Sequence, residues 1–527
     1  MTLLDADREG HTAVDAFAKR HEEHALPANE RYYRDLIPLD VPSDGEQYGF
    51  EVDLDSCTGC KACVTACHSL NGLDDDESWR SVGFLQGAGK VAFQQTVTTA
   101  CHHCVDPACL SGCPVDAYEK DPITGIVSHL DDQCIGCGYC TLTCPYEVPR
   151  FNEARGIVRK CDMCRGRLAV GEAPACVQAC PNGAIRISIV SKAGARAAAA
   201  APGAALVAGA PASAITVPTT VYRSAKPIPA DVRAADHHSL RPAHPHPPLA
   251  AMLVLTQLSV GALAIDVGAR ATRTAGLVHP ALAVIAAAVA VVALGASVLH
   301  LGRPRYAFRA VLGFRHSWLS REVVAFGAFG GMAVAYAAAV AGGLSRPPVL
   351  GVGAAALVAG MTGVGCSVQL YAVTQRAWWR ASRTVPTFAL SAAVTGLAAA
   401  LATALVAGSP PAATIRALAL ASAAAAVLKL ANDLAPLAGR RGPVVTDLQR
   451  SSLLLRRDLG NLTLGRVLVG TAGGIVLPVG LATAAVDGVG PAAAAVTAVA
   501  LVVAGELVER HQFFRVAVAP RMPGELP

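Results

Sequence analysis

Between Cys57 and Cys180 the chain places sixteen cysteines in four groups of four, and the rest of its 527 residues holds one more, Cys366. The groups read Cys57-x2-Cys60-x2-Cys63-x3-Cys67, Cys101-x2-Cys104-x4-Cys109-x3-Cys113, Cys134-x2-Cys137-x2-Cys140-x3-Cys144 and Cys161-x2-Cys164-x11-Cys176-x3-Cys180. A fold that brings such quartets together must wrap each loop around a centre that gathers several thiolates at once. A tight loop presents three thiolates to one face of a cubane, while the fourth cysteine points away and can ligate the other cluster of a pair. Proline follows that fourth cysteine in three groups, as Pro114, Pro145 and Pro181, and turns the chain aside; the first group has His68 there. Sixteen thiolates suffice for four [4Fe–4S] clusters. Zinc also takes four ligands, but it leaves the repeated Cys-x3-Cys-Pro tail without a role. A disulfide framework is not expected of local quartets in a chain that shows no secretory signal.

The charge splits at about residue 248. Residues 1–248 carry 30 acidic and 22 Lys/Arg side chains and residues 249–527 carry 9 and 22, so the overall +5 conceals an acidic half followed by a basic one. The net value gives no ground for a nucleic-acid partner. From Pro248 onward, apolar runs recur that are long enough to cross a bilayer, which takes about 20 residues each. There are eight, at about 249–268, 277–300, 323–343, 349–371, 385–407, 412–432, 462–485 and 491–508. Eight runs with almost no internal charge point to an integral membrane protein rather than a buried helical core, and their Ala and Gly content suits close helix approach in lipid.

Residues 191–247 form an Ala/Pro-rich linker. It is nearly all Ala, Gly and Val from Ser191 to Ala214, then rich in proline and histidine. Irregular or polyproline-like structure is expected there, with His237, His238, His244 and His246 on a solvated strap rather than at a metal.

Arginine placement orients the bundle. The side to which even-numbered spans return receives seventeen: Arg303, Arg305, Arg309, Arg315, Arg321, Arg376, Arg380, Arg383, Arg440, Arg441, Arg450, Arg456, Arg457, Arg466, Arg510, Arg515 and Arg521. The other side receives only Arg270, Arg273, Arg346 and Arg416. Positive residues stay inside, so both termini and the cysteine-rich part are expected on the cytoplasmic face of a cell inner membrane. The missing signal sequence agrees, although a partner's export signal could carry the domain outward.

An ionisable group inside a span is costly and usually functional. His300 ends the second run and Glu322 opens the third, both on the arginine-rich side. A histidine and a carboxylate at one interface can take up the two protons that a quinol releases, since imidazole titrates near neutrality. The plainer reading has His300 capping a helix and Glu322 pairing with a loop arginine. Lys429, Asn432 and Glu506 can snorkel or bridge helices as readily as line a pocket, and Trp318, Trp378 and Trp379 are read as an interfacial aromatic belt rather than a quinone-stacking set. Cys366 reads as a small buried residue, and residues 444–464 as an interfacial helix or docking loop.

Residues 50–190 resemble the four-cluster ferredoxin subunit of the dimethyl sulfoxide reductase family, and residues 248–515 resemble that family's membrane anchor. The anchor likeness rests on Pro248-Leu249 with Gln257, Ser297-x2-His300-Leu301-Gly302-Arg303-Pro304 and Ser317-Trp318-Leu319-Ser320-Arg321-Glu322. It rests further on Tyr371 with Trp378-Trp379, and on Gly505-Glu506 before Arg510 and Phe513-Phe514. The chain thus looks like two normally separate subunits in one. The expected fold is an α+β double bacterial-ferredoxin-like iron–sulfur domain at 46–190, followed after the linker by an all-α eight-helix transmembrane bundle at 248–515. A polar extension at 1–45, read as partner-contacting, and a tail at 516–527 flank them.

The resemblance implies four [4Fe–4S] clusters ligated across groups. The sets would be Cys57, Cys60, Cys63 with Cys180; Cys161, Cys164, Cys176 with Cys67; Cys101, Cys104, Cys109 with Cys144; and Cys134, Cys137, Cys140 with Cys113. It also implies that His300 and Glu322 lie at a site for menaquinone or ubiquinone, and that the partners are the bilayer, the quinone pool and a molybdopterin catalytic subunit. No site for a final substrate is visible in the chain itself. Sulfoxide reductases of this family are commonly exported, whereas its quinone-linked sulfite dehydrogenases keep their active site inside. The expected orientation therefore points to sulfite oxidation with quinone reduction; the alternative is quinol oxidation feeding a dimethyl sulfoxide- or N-oxide-type reductase. A proton-translocating, energy-converting module would need ionisable groups across the membrane interior, and here most stand near span ends.

Overall fold

In the computed structural model, the described residues are 30–87, 93–229, 231–274, 277, 279–407, 410–438, 446–483 and 489–524. The cysteine-rich part is built on short strands: β1 (Glu46–Asp53), β2 (Ser81–Gly87), β3 (Gln94–Thr99), β4 (Tyr118–Lys120), β5 (Val127–His129), β6 (Arg150–Asn152), β7 (Ile157–Arg159) and β8 (Ile185–Ser191). β1 and β8 pair antiparallel from Glu46↔Ser191 to Val52↔Ile185, so the two ends of the cysteine-rich stretch are tied together. β2 pairs with β3, and β4–β5 and β6–β7 form small hairpins. Each quartet ends on a helix of a few residues: Ala62–Leu70, Ala108–Gly112, Tyr139–Thr143 and Ala175–Gln178. Two start from left-handed residues, Lys61 (φ 62) and Gly138 (φ 68), and two from Pro107 and Pro174. Both devices break the preceding chain direction and fold the loop back onto its own thiols.

The linker differs from expectation. Instead of an irregular strap it supplies a helix (Lys192–Ala200) and two strands, β9 (Val221–Arg223) and β10 (Val232–Ala234). β9 lies parallel to β1 and β10 antiparallel to β2, so each covers an edge that would otherwise stand open. Val-Tyr-Arg and Val-Arg-Ala carry enough β-propensity to pair once an edge is offered, which local composition does not reveal. Of the N-terminal extension, the described part packs Tyr33 and Ile37 into the cluster-domain core; residues 1–29 lie outside the described residues. The C-terminal tail also returns to this domain: Phe84 N–H donates to Gly524 O (3.1 Å), Arg521 pairs with Asp236 (2.5 Å), and Met522 packs among Val52, Leu85 and Val97.

Among the described residues, eight helices are long and apolar enough to cross a membrane, as the sequence predicts: α1 (Pro247–Thr272), α2 (Pro280–Val298), α3 (Trp318–Ala341), α4 (Arg346–Ala372), α5 (Ala381–Ala407), α6 (Ala412–Ala438, 3-10 in its last turn), α7 (Gly460–Thr483) and α8 (Val489–Arg515). The third starts earlier than its hydropathy suggests, which draws Glu322 into the helix. α1 and α5 are the most enclosed. They meet at Gly261 and Gly396, where a Cβ on Gly396 would stand 2.5 Å from the Gly261 carbonyl carbon, so only glycine permits this approach. α7 carries a π turn at Ala472–Val476. The tryptophans do not all face the interface: Trp379 turns inward, donates to Phe513 O (2.9 Å) and packs on Tyr371 and Phe514, and Trp378 is buried beside it. The helix at Asp447–Arg457 is amphipathic and begins with a Thr446/Gln449 capping box.

The two halves are joined by the segment between α2 and α3. Gly302 N–H donates to Gly136 O (3.2 Å), Arg303 N–H to Ile135 O (3.0 Å) and Gly313 N–H to Pro114 O (2.9 Å). Ser317 Oγ donates to Gly112 O (2.7 Å), and Arg303 and Arg309 reach the carbonyls of Asp131 and Asp132. A Cβ on Gly302 would run into the Gly156 carbonyl. Gly302→Val is therefore expected to destabilise the docked state by about 1–3 kcal/mol through overpacking, read as a lower unfolding temperature of the detergent-solubilised complex.

Candidate functional site

The quartet loops aim backbone N–H groups at sulfur. Cys134 and Cys161, first in their groups, lie 3.4 Å from the N–H nitrogens of Gly136 and Met163. Cys113 and Cys180, last in theirs, lie 3.3 Å from those of Ala117 and Ala184. Asn71 Nδ2 adds a contact to Cys67 at 3.5 Å. Donors placed this way stabilise thiolate charge.

Cysteines from different groups converge. A cavity is lined by Cys101, Cys104 and Cys109 together with Cys144 of the next group. Burial pushes the Cys140 thiol well above its ordinary range, and neighbouring Cys137, Cys113 and Cys134 push it further. Burial does the same to Cys161, joined by Cys101, Cys67, Cys164 and Cys176. Cys67 is pushed up to about 12 by burial and by Cys176 and Cys164. Thiols this reluctant to ionise act together as ligands only when cationic metal offsets their charge. Buried thiols with amide donors already aimed at them fit a [4Fe–4S] cluster. At one end of the array Cys60 is exposed; at the other, Cys137 lines a cavity at the membrane bundle.

That second cavity lies where the cluster domain meets the first four helices. Its wall is mainly apolar, with Met252 of α1, Leu294 of α2, Phe326 of α3 and Tyr371 of α4, and its polar groups include His300 and Glu322. The structure thus brings the two sequence-predicted residues to one wall and adds Cys137 to it. His300 Nδ1 contacts the Ser297 carbonyl. A carbonyl only accepts, so the proton sits on Nδ1 and Nε2 keeps a free lone pair. Glu322 is buried and accepts from Ser367 Oγ on α4 instead of pairing with a loop arginine. Tyr139, between Cys137 and Cys140, donates to Leu370 O at 2.8 Å and pins the cluster loop to the end of α4. An apolar pocket with a few convergent polar groups has the make-up of a small-molecule site.

Deeper in the bundle lies a group of charges that sequence reasoning scattered. Lys429 on α6 contacts Asp433 (2.8 Å), Glu509 (3.6 Å) and Glu506 (3.7 Å). Arg466 on α7 contacts Glu506 (2.6 Å) and Asp433 (3.2 Å). Arg510, fully buried, contacts Glu509 (3.4 Å) and donates to Gln257 Oε1 (3.0 Å) and Ser391 Oγ (3.2 Å). Arg466 and Arg510 are therefore helix-buried partners and not loop charges. Near the other membrane face, Asp266 holds Arg270 (2.9 Å) and the Tyr336 hydroxyl (2.6 Å). Lys429–Asp433, Glu506–Arg510 and Asp266–Arg270 all stand one helical turn apart in opposite charge, a signal the sequence carried.

The pieces define a class: an iron–sulfur electron-transfer module on a multi-pass membrane anchor. Comparison with known proteins supports both halves. Residues 92–189 match the 4Fe-4S dicluster domain and residues 243–516 match the DMSO reductase anchor subunit (DmsC). The B subunit of the anaerobic dimethyl sulfoxide reductase of Escherichia coli K12 is 40% identical over 144 residues, 26% of this chain and 70% of the relative. Its counterpart in Haemophilus influenzae is 37% identical over 146 residues, 26% of this chain and 71% of the relative. The formate dehydrogenase-O iron-sulfur subunit of E. coli K12 is 36% identical over 151 residues, 25% of this chain and 50% of the relative. The chain belongs to the dimethyl sulfoxide reductase family, as an iron–sulfur subunit continuous with a DmsC-type anchor. It is a membrane subunit that works with a catalytic subunit.

Proposed function

We propose that the chain conducts electrons between a membrane quinone and a molybdopterin catalytic subunit through four [4Fe–4S] clusters, held by the four cysteine sets that cross between groups. The observation that carries this reading is the single cavity wall formed by His300, Glu322 and Cys137. It offers a flat, largely apolar ring of the menaquinone or ubiquinone kind one basic nitrogen, one carboxyl group and a cluster ligand. When bound, the clusters supply one-electron carriers in series. The residues handle protons and position: His300 Nε2 exchanges a proton with one quinone oxygen, Glu322 serves the other, and the apolar wall excludes water.

The arginine asymmetry supports a cytoplasmic cluster domain even with Arg466 and Arg510 set aside as helix-buried, which leaves fifteen against four. With the catalytic subunit on that side, the proposed direction is sulfite oxidation and quinone reduction. The second reading, quinol oxidation feeding a dimethyl sulfoxide- or N-oxide-type reductase, is favoured by the likeness to the B subunit of dimethyl sulfoxide reductase. The test is anaerobic addition of sulfite, without quinol, to the complex with its native partner, watched by electron paramagnetic resonance. Reduced-cluster signals support the first direction. Clusters silent to sulfite but reducible by dithionite move the reading to the second.

Cys137→Ser is expected to lower iron content by up to about a quarter, one cubane of four, and to abolish reduction of the remaining clusters by quinol while dithionite still reduces them.

A further inference from the structure

Two cations stand buried among the cysteines with hydrogen bonds to neutral oxygen, and Asp162 is a carboxylate whose charge reaches Lys160. Arg80, immediately before β2, is 3% exposed. Its Nη1 donates to Thr98 Oγ1 (3.1 Å), which lies 3.6 Å from Cys63 Sγ, and its guanidinium sits 4.8 Å above the Phe50 ring. Its Nη2 has no hydrogen-bond partner. The thiols around it are Cys176, Cys63, Cys161 and Cys67, drawn from two of the proposed ligand sets. Lys160 is 2% exposed and lines the cavity formed by Cys101, Cys104, Cys109 and Cys144. Its Nζ donates to Val127 O and to Cys161 O (2.9 Å), so it lies between that set and the set containing Cys161. The nearby carboxylate of Glu77 is already held by Arg159 at 2.8 Å.

A buried cation without a compensating anion costs several kcal/mol, so each position calls for negative charge close by. A cubane held by four thiolates is a net anion, more so when reduced. Its charge supplies what Arg80 lacks and adds to what Asp162 offers Lys160.

We propose that Arg80 and Lys160 are the built-in counter-charges of the clusters, Arg80 at the junction of the two outermost ligand sets and Lys160 at the next junction inward, and that they raise the reduction potentials there. At the third junction the buried Tyr118 ring stands among Cys140, Cys109 and Cys113. This assignment of counter-charges rests on the four proposed ligand sets.

The test is redox titration of the full complex, followed by electron paramagnetic resonance, with iron and sulfide analysis giving the cluster count independently. Arg80→Met should lower the potentials of the two outer clusters, and Lys160→Met those of the two middle ones. In each case the reduced-to-oxidised ratio at fixed potential should fall by about tenfold or more, the scale of one buried unit charge at an effective dielectric near 20. Arg80→Lys should restore most of the loss, and Arg155→Met, an exposed cation beside Asp74, should change nothing. If Arg80→Met fails to assemble, Arg80→Gln, which can keep the Thr98 hydrogen bond, carries the same expectation. Unchanged potentials at a full cluster count would overturn the proposal. A wild-type count other than four would instead overturn the ligand sets.

Discussion

His300→Ala is expected to lower quinone-coupled turnover by about 100-fold or more, the scale of losing a positioned general acid–base group, with cluster content unchanged. Reduction of the clusters by an artificial donor that bypasses the cavity should stay at the wild-type rate. The split follows from position. The imidazole is fixed by its Nδ1 contact to Ser297 O and shares the wall with Glu322 and Cys137, while the contacts that dock the cluster domain come from Gly302, Arg303, Gly313 and Ser317. Alanine therefore removes the group that exchanges the proton and leaves the junction standing. Glu322→Gln, which can keep the hydrogen bond with Ser367, should give a smaller loss on the same assay. Wild-type quinone-coupled turnover in His300→Ala would reduce the bundle to an anchor without quinone chemistry.

Lys429→Met is expected to destabilise the bundle by about 3–5 kcal/mol, the usual cost of stripping one partner from a buried ionic group. Lys429 touches Asp433, Glu506 and Glu509, and removing it leaves three largely buried carboxylates to share Arg466 and Arg510. The effect should appear as a large drop in the thermal midpoint of the detergent-solubilised complex, with quinone-coupled turnover per folded molecule preserved. Pairing it with Asp433→Leu, which removes one charge of each sign, should recover much of the loss. A Lys429→Met protein as stable as wild type would mean the group is hydrated and its charges individually solvated.

What could be read from the sequence was what is encoded locally. Cysteine spacing fixes a cluster loop over a dozen residues, and hydropathy fixes a membrane helix over about 20, so the domain class and the eight spans were legible. His300 and Glu322 were legible as ionisable residues at span edges, but their shared wall with Cys137 depends on docking between segments far apart in sequence. What escaped was non-local. β9 and β10 are strands only because β1 and β2 offer open edges. Trp379 is drawn inward by the Phe513 carbonyl. Arg466 and Arg510 count as loop charges until Glu506 and Glu509 are placed against them. The same placement bears on proton translocation: along α1, Gln257 of the inner network and Asp266 of the opposite triad are nine residues apart, about 13 Å at helical rise.

The interlacing of the connector and the tail with the cluster domain has a consequence for assembly. Where cluster carrier and anchor are separate polypeptides, they must find each other at cellular concentrations and hold by contact area alone. Here β9, β10 and the Gly524 contact belong to the same chain as the bundle, so docking is intramolecular and runs at an effective concentration set by the connector. Every anchor that reaches the membrane carries its own wire in fixed one-to-one ratio. Inserting cofactors into the cluster domain must then be reconciled with membrane insertion of the segment that follows it.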